Sequence, residues 1–250
     1  MRRGGKAILP REILLIFLFC HGIVWTYQAC GKGERALVYY MDLTEHFDDA
    51  MIDVLLAYVS FERRVRAETY LRGGDRVRSV LAFLLLRIGL YREYGITQMP
   101  QIAFMPKGKP YLANRADIHF NLSHCKTGVA CAVSDGEVGV DIQHYVPFKA
   151  SIAERIMTAD ELLEAQTGDA DAVFTRLWSL MESEGKFTGD GLSLDLTKRR
   201  TPERCIRQSH MLEHFVLSVT SEKPLALVKL CVAELPALCR PLLPANAKKS

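Results

Sequence analysis

Residues 174–192 read FTRLWSLMESEGKFTGDGL, and their spacing predicts a helix with one buried face. Side chains four residues apart lie one above the other on a helix. Trp178 and Met181 therefore fall on an apolar stripe, while Glu182 and Lys186 follow each other along its edge. The ordinary interpretation is an amphipathic helix with one i,i+4 ion pair. The alternative is a packed helix that presents a carboxylate and an amine for chemistry.

Two β-rich runs upstream of this helix, Gly128–Ser134 and Glu137–Gln143, predict a hairpin. They are joined around Asp135-Gly136, which is typical of a two-residue type I′ turn. Alternation along the second run directs Asp141 and Gln143 to one face and its valines and isoleucine to the other. A glycine on the polar face permits close approach of another group. We therefore expect a ligand site at the end of this strand.

The rest of the pattern mixes short strands with helices. The apolar run of the third expected helix indicates that this helix is buried. The expected elements are a first strand from Ala36, helices at 45–56, 61–70 and 75–95 with Asp75 as the cap of the last, a Lys107–Pro110 turn, a capping box at Thr158–Glu161, and terminal strands at 214–221 and 226–235.

Composition excludes several classes of protein. Hydrophobic residues make up 49% and charged residues 24%, which is ordinary for a globular chain. A net charge of +3 is too small to indicate nucleic-acid binding, although it allows a local basic patch for a small anion. The seven cysteines are scattered without metal-binding or disulfide spacing. This usage favours a reducing compartment, so we expect a cytoplasmic protein.

The first 35 residues contain basic residues followed by a short apolar run, Ile13–Trp25. The run has the proportions of a signal segment and is short for a bilayer span. Three interpretations are open: a membrane-targeting segment, an extra packed helix, or an extension outside the functional domain. The third is favoured because a globular pattern begins abruptly at Ala36, and no membrane association is then expected.

Four motifs occur in order along the chain: KGKPYL at 107–112, FNLSHC at 120–125, VGVDIQ at 138–143 and WSLMESEGKFTGDGL at 178–192. Together they resemble the 4′-phosphopantetheinyl transferases of the Sfp type, over roughly residues 36–234. The resemblance implies an α+β fold of two pseudo-twofold-related α/β subdomains, with coenzyme A and Mg²⁺ bound between them. It also implies a monomer. The implied boundaries are an N-terminal extension at 1–35, transferase subdomains at 36–136 and 137–236, and a loose tail at 237–250.

The implied reaction moves phosphopantetheine from coenzyme A to a serine of an apo acyl or peptidyl carrier protein and releases adenosine 3′,5′-bisphosphate. Asp141, Glu182 and Lys186 match the family's catalytic residues. The metal ligands that the resemblance implies are Asp141, Gln143 and Glu182, whose oxygens suit Mg²⁺. The residues that match coenzyme contacts are Lys109, Ser123, His124, Arg78, Ser79, Arg63 and Arg66.

Two positions depart from the family's pattern. Gln143 stands where many members carry a second acidic ligand, which removes one negative charge from the expected metal site. Met181 stands where the pattern has a lysine. These departures support the alternative of a degenerate homologue that binds coenzyme A or a carrier protein without efficient turnover.

Overall fold

The computed structural model describes residues 36–44, 49–70, 73–192 and 203–243, and it confirms the mixed α+β class. The predicted extension at 1–35 lies outside these residues. The strands are β1 (Ala36–Asp42), β2 (Ile102–Phe104), β3 (Pro110–Leu112), β4 (His119–Cys125), β5 (Gly128–Ser134), β6 (Val138–His144), β7 (Ile206–Met211), β8 (Phe215–Ser221) and β9 (Leu225–Lys229). The helices are α1 (Asp49–Leu55), α2 (Phe61–Glu68), α3 (Gly73–Tyr94), α4 (Ala150–Ile156), α5 (Ala159–Thr167), α6 (Ala170–Thr188) and α7 (Leu235–Cys239), with 3₁₀ turns at Leu56–Tyr58, Val232–Glu234 and Arg240–Leu242.

Two sheets form the centre of the protein. The first has the strand order β4-β5-β1-β9, and the second has the order β6-β8-β7; β2 and β3 form a separate ribbon. The sheets pack against each other, because Val38 of the first and Val140 and Leu217 of the second belong to one buried cluster. Helix α3 covers the outer face of the first sheet, and α6 covers the second. These layers place α6 directly beside β6.

The predicted hairpin between β5 and β6 is wrong. Strand β5 pairs with β4 on one side and with β1 on the other, so both of its edges are occupied. Strand β6 pairs with β8 in the second sheet, and the segment around Gly136 carries the chain from one sheet to the other. Gly136 lacks the positive φ that a type I′ turn requires. The actual hairpin joins β4 to β5 through Lys126 and Thr127.

Several other expectations are confirmed or corrected by the element bounds. The capping box at Thr158 is confirmed, and the long helix ends at Gly95 as expected. Asp75 is not the cap of α3, because the helix already begins at Gly73 and Asp75 lies in its first turn. Strand β7 is not predicted by the sequence. The last strand is shorter than expected and pairs with β1 in parallel. The division into two pseudo-twofold subdomains stays a prediction.

The prediction of a loose tail at 237–250 is wrong for its first part. Cys239 and Leu242 are 0% and 2% exposed and pack in the core around α3. The buried guanidinium of Arg87 holds this segment, since it donates to the carbonyl oxygens of Leu242 at 2.9 Å, Thr97 at 2.6 Å and Tyr58 at 2.7 Å. Residues 244–250 lie outside the described part of the chain.

None of the helices within the described ranges has both the length and the apolar character needed to cross a bilayer.

Replacing Arg87 by Met should lower the free energy of unfolding by about 3 kcal/mol, because one buried and two partly buried carbonyl oxygens lose their donor. The matched control is Arg92→Met on the same helix, whose side chain is exposed and lies over the ring of Tyr39. It should cost less than about 1 kcal/mol. Denaturant unfolding of both variants measures the difference, and equal losses would contradict the anchoring role of Arg87.

Candidate active site

The two sheets meet along a seam between their edge strands β4 and β6. The side-chain oxygen Oδ1 of Asn121 accepts from the backbone N–H of Val140 at 3.1 Å. Two residues further along, the hydroxyl of Ser123 accepts from the N–H of Ile142 at 3.2 Å. Because side chains of β4 alternate in direction, the two side chains that accept these hydrogen bonds lie on the same face of the strand. The seam brings Ser123 next to Asp141.

Helix α6 lies unusually close to β6, and Gly139 is the reason. A Cβ at this position would lie 2.2 Å from the carbonyl oxygen of Ser183 and 2.4 Å from the amide nitrogen of Phe187. The hydroxyl of Ser183 also contacts that of Thr220 on β8 at 2.9 Å. The helix is fixed at its start by the Asp169 cap. Backbone therefore packs directly on backbone, as the glycine on the polar face of this strand predicts.

Lys186 of α6 crosses to β6 and forms an ion pair with Asp141 at 2.7 Å. Its ammonium group also donates to Ser123 Oγ at 2.9 Å, and Ser123 donates to Asp141 Oδ1 at 2.9 Å. Asp141 is 5% exposed. Its second oxygen, Oδ2, is buried and has no hydrogen-bond partner among the described residues. We call this atom the open carboxylate oxygen; a buried anionic oxygen of this kind suits a hard cation.

Glu182 lies one turn before Lys186 but does not form the i,i+4 ion pair of the ordinary interpretation, since Lys186 pairs with Asp141 instead. Burial raises the pKa of Glu182, and the nearby charge of Asp141 raises it further, whereas Lys186 lowers it. Two carboxylates therefore share one partly buried site with a single ammonium group. This arrangement disfavours a second negative charge unless a cation is added.

A group of basic side chains lies next to these residues. The side chain of His124 is exposed, but desolvation lowers its pKa, and the charges of Arg78 and Lys186 lower it further. Arg78 also pairs with Asp75 and donates to the carbonyl of Lys126 at 3.5 Å. A strand, the start of α3 and the end of α6 thus contribute to one cationic surface.

Arg63 of α2 connects to the same part of α3. Its guanidinium donates to the hydroxyl of Ser79 at 3.4 Å and lies over the ring of Phe83 at 5.2 Å. Burial lowers the pKa of Arg63, and the charge of the exposed Arg66 lowers it further. Clustered cations of this kind suit a ligand with several phosphate groups.

Comparison with known proteins identifies the family of the chain. Residues 137–221, which include β6 and α6, match the family model of the 4′-phosphopantetheinyl transferase superfamily. The chain is 34% identical over 196 residues to the 4′-phosphopantetheinyl transferase psf-1 of Bacillus pumilus, covering 70% of this chain and 84% of the relative. The chain belongs to the 4′-phosphopantetheinyl transferase superfamily.

Two further relatives in this superfamily have the same activity in their names. The chain is 31% identical over 145 residues to 4′-phosphopantetheinyl transferase Sfp of Bacillus subtilis (strain 168), covering 56% of this chain and 65% of the relative. It is 30% identical over 163 residues to 4′-phosphopantetheinyl transferase gsp of Aneurinibacillus migulanus, covering 63% and 67%. The resemblance read from the motifs is thereby confirmed, and the chain is an enzyme of the transferase type.

The structure brings most of the transferase's predicted site residues together, but Lys109 contacts residues other than these. Its ammonium group pairs with Glu137 and donates to the carbonyl of Phe187 at 2.5 Å. Its side chain is 10% exposed. Glu137 precedes Asp141 by four residues, or about 13 Å along a strand. A coenzyme contact for Lys109 stays a prediction, and its observed role is to join the β2–β3 ribbon to the end of α6.

Gln143 shares a strand face with Asp141, but its amide nitrogen contacts its neighbour His144, at 3.4 Å from Nδ1 and 3.3 Å from the carbonyl oxygen. The described residues contain no group of three or more His, Cys, Asp and Glu side chains arranged to hold a metal. Within the described residues, the site supplies two carboxylates, Asp141 and Glu182.

One buried ion pair was not anticipated from the sequence. Glu184, which is 4% exposed, accepts from Arg207 of β7 at 2.8 Å. The pair fixes α6 to the far edge of the second sheet. The sequence pattern gave no indication of this ion pair, because it did not predict the strand β7 that carries Arg207.

Gly139→Ala should displace α6 and lower the rate of phosphopantetheinyl transfer by about 100-fold, since a shift of about 1 Å in catalytic groups has an effect of that size. The matched control is Gly136→Ala, since the atoms nearest to its Cβ would belong to the side chains of Glu222 and Lys223 and not to backbone. Kinetic assays of both folded variants test this. Full activity in Gly139→Ala would contradict the positioning role of the close contact.

The acidic side chain of Glu137 should make stability depend on pH. A hydrogen bond from His119 and then Lys109 lower the pKa of Glu137 from 4.5 to about 2, and the same contact with Glu137 raises the pKa of His119 above 6.5. The carboxylate therefore stabilises the fold above pH 4.5 and loses this effect as pH falls toward 2. Protonated His119 contributes below pH 6.5 and stops contributing as pH rises through its folded pKa.

Glu137→Gln should consequently destabilise the protein most between about pH 4.5 and 6.5, with a smaller difference from wild type on either side. Denaturant midpoints at about pH 3, 5.5 and 8 measure this difference. The exposed Glu154→Gln on α4 is the control and should show no such dependence. A difference that stays constant with pH would contradict the assignment.

Proposed function

We propose that this enzyme transfers the 4′-phosphopantetheinyl group of coenzyme A to a serine hydroxyl of an apo acyl or peptidyl carrier protein, with Mg²⁺ as cofactor. The second product is adenosine 3′,5′-bisphosphate. The observation that carries the proposal is the Asp141 site, in which one carboxylate oxygen is held by Ser123 and Lys186 while the open carboxylate oxygen is buried, and in which the charge of Asp141 raises the pKa of Glu182.

Asp141 and Glu182 would hold Mg²⁺ with their carboxylates, and Gln143 would contribute through its amide oxygen. Hard oxygen ligands are those that Mg²⁺ prefers, and the open carboxylate oxygen suits such an ion. A bound Mg²⁺ would neutralise charge on the pyrophosphate of the coenzyme. With Gln143 in place of an acid, the protein supplies one negative charge fewer, so we expect the enzyme to require a higher Mg²⁺ concentration than a relative with three acids.

Glu182 is the candidate general base. It would take the proton from the serine hydroxyl as the serine oxygen forms a bond to the β-phosphorus, while the bond from that phosphorus to the leaving phosphate breaks. A bound Mg²⁺ would lower the pKa of Glu182 and keep it ionised, so that it could accept the proton directly or through water. Lys186 would bind the pyrophosphate oxygens and lower the energy of the charge that develops on them.

The basic residues around the start of α3 would bind the phosphates of the coenzyme. Arg63, Arg66 and Arg78 would supply charge, and His124 a ring N–H donor. Ser79 is 2% exposed and accepts from Arg63, so it would contribute by holding that guanidinium. In the structure, the charge of Arg78 lowers the pKa of His124, and the guanidinium of Arg63 donates to the hydroxyl of Ser79. Lys109 would have to exchange its contact with Glu137 for a phosphate.

The remaining parts of the proposal concern the whole molecule. Coenzyme and metal would lie between subdomains at 36–136 and 137–236, and the enzyme would act as a cytoplasmic monomer. The main support for this boundary is that residues 135–137 connect the two sheets. Strand β9 is an exception, because it belongs to the second range but pairs with β1 of the first.

Incubation of the protein with coenzyme A, Mg²⁺ and a panel of apo carrier proteins tests the function. Mass spectrometry should show addition of one phosphopantetheinyl group to at least one carrier. Glu182→Gln should lower kcat by about 100-fold or more, because it removes the base. Glu154→Gln, an exposed carboxylate on α4, should behave as wild type. Coenzyme binding without transfer to any carrier would support the degenerate homologue instead.

A further inference from the structure

The hydroxyl of Ser123 has three hydrogen-bond partners, and together they use its full capacity. It donates to Asp141 Oδ1 at 2.9 Å and accepts from the Ile142 N–H at 3.2 Å and from Lys186 Nζ at 2.9 Å. A hydroxyl has one donor and two acceptor sites. The resemblance implied a phosphate contact for Ser123, but a phosphate oxygen would need the proton that Asp141 receives. Ser123 is also only 6% exposed.

The same contacts determine the orientation of the Asp141 carboxylate. Oδ1 accepts from both Ser123 and Lys186, which leaves Oδ2 as the open carboxylate oxygen. Ser123 is itself fixed by the backbone of β6, since Ile142 donates to it. Rotation of the carboxylate would therefore break two hydrogen bonds at once. A carboxylate held at one oxygen presents the other in a single direction.

We propose that Ser123 is a positioning residue that orients Asp141 for a divalent cation and makes no direct contact with the coenzyme. The inference rests on the proposed function, because it concerns the same cation. Groups that orient metal ligands in this way typically change metal affinity by about 10- to 100-fold when they are removed.

Asn121 provides a matched control for the structural part of this role. Asn121 accepts the other hydrogen bond of the seam, from the Val140 N–H, and is 4% exposed. Asn121→Ala removes a hydrogen bond between β4 and β6 without removing any contact of Asp141. Ser123→Thr retains the hydroxyl and should largely restore what Ser123→Ala loses.

The test uses Mn²⁺ as an oxygen-preferring probe, with free Mn²⁺ measured by electron paramagnetic resonance in the absence of coenzyme. Ser123→Ala should weaken Mn²⁺ binding by about tenfold, and Asn121→Ala should change it by less than about twofold. Asp141→Asn should weaken binding at least as much as Ser123→Ala, which identifies the site that is measured.

Coenzyme A binding is measured separately by calorimetry in the presence of EDTA, so that no metal contributes. Ser123→Ala should leave this affinity unchanged, because its hydroxyl contacts no phosphate. A loss of coenzyme affinity under these conditions, or unchanged Mn²⁺ binding in Ser123→Ala, would overturn the inference. If the wild-type enzyme modifies carrier proteins, either of these results overturns only the inference about Ser123 and leaves the proposed function standing. A wild-type protein that modifies no carrier protein contradicts the proposed function itself.

Discussion

The seam between β4 and β6 is the interaction on which the active site depends. Two edge strands from different sheets meet there. Side-chain oxygens of Asn121 and Ser123 on β4 accept hydrogen bonds from backbone N–H groups of β6, which would bond to the backbone of a neighbouring strand if β6 were not at the edge of its sheet. Pairing through side chains holds the strands farther apart than a backbone ladder would. It also places a hydroxyl, instead of a carbonyl, against the carboxylate of Asp141.

A second constraint acts on the face of β6 that carries Asp141. Gly139 and the small Ser183 allow the backbone of α6 to lie on the strand, which shortens the distance that Lys186 has to cross. An ion pair as buried as that of Asp141 with Lys186 loses hydration energy, which the bond from Ser123 partly offsets. The open carboxylate oxygen remains unsatisfied within the described chain, and this is the observation from which the cation site is proposed.

The local parts of this fold could be predicted from sequence because they depend on periodicity and caps. The alternation of β6, the capping box of α5 and the end of α3 at Gly95 all follow from residues within a few positions of each other. Strand partners could not be predicted in this way. The Asp-Gly signal after β5 indicated a hairpin, but both edges of β5 were already taken by β4 and β1, so the chain continued into another sheet.

For the site, the sequence by itself determined which groups are available and on which face of each element they lie: Asp141 on the polar face of β6, Glu182 and Lys186 along one edge of α6. Only the tertiary structure decided their partners. Lys186 pairs with Asp141 across 45 positions of chain instead of with Glu182 one turn away. The reason is that close packing of α6 on β6 gives the ammonium group a buried carboxylate and a hydroxyl together, which a neighbour on the same helix cannot offer.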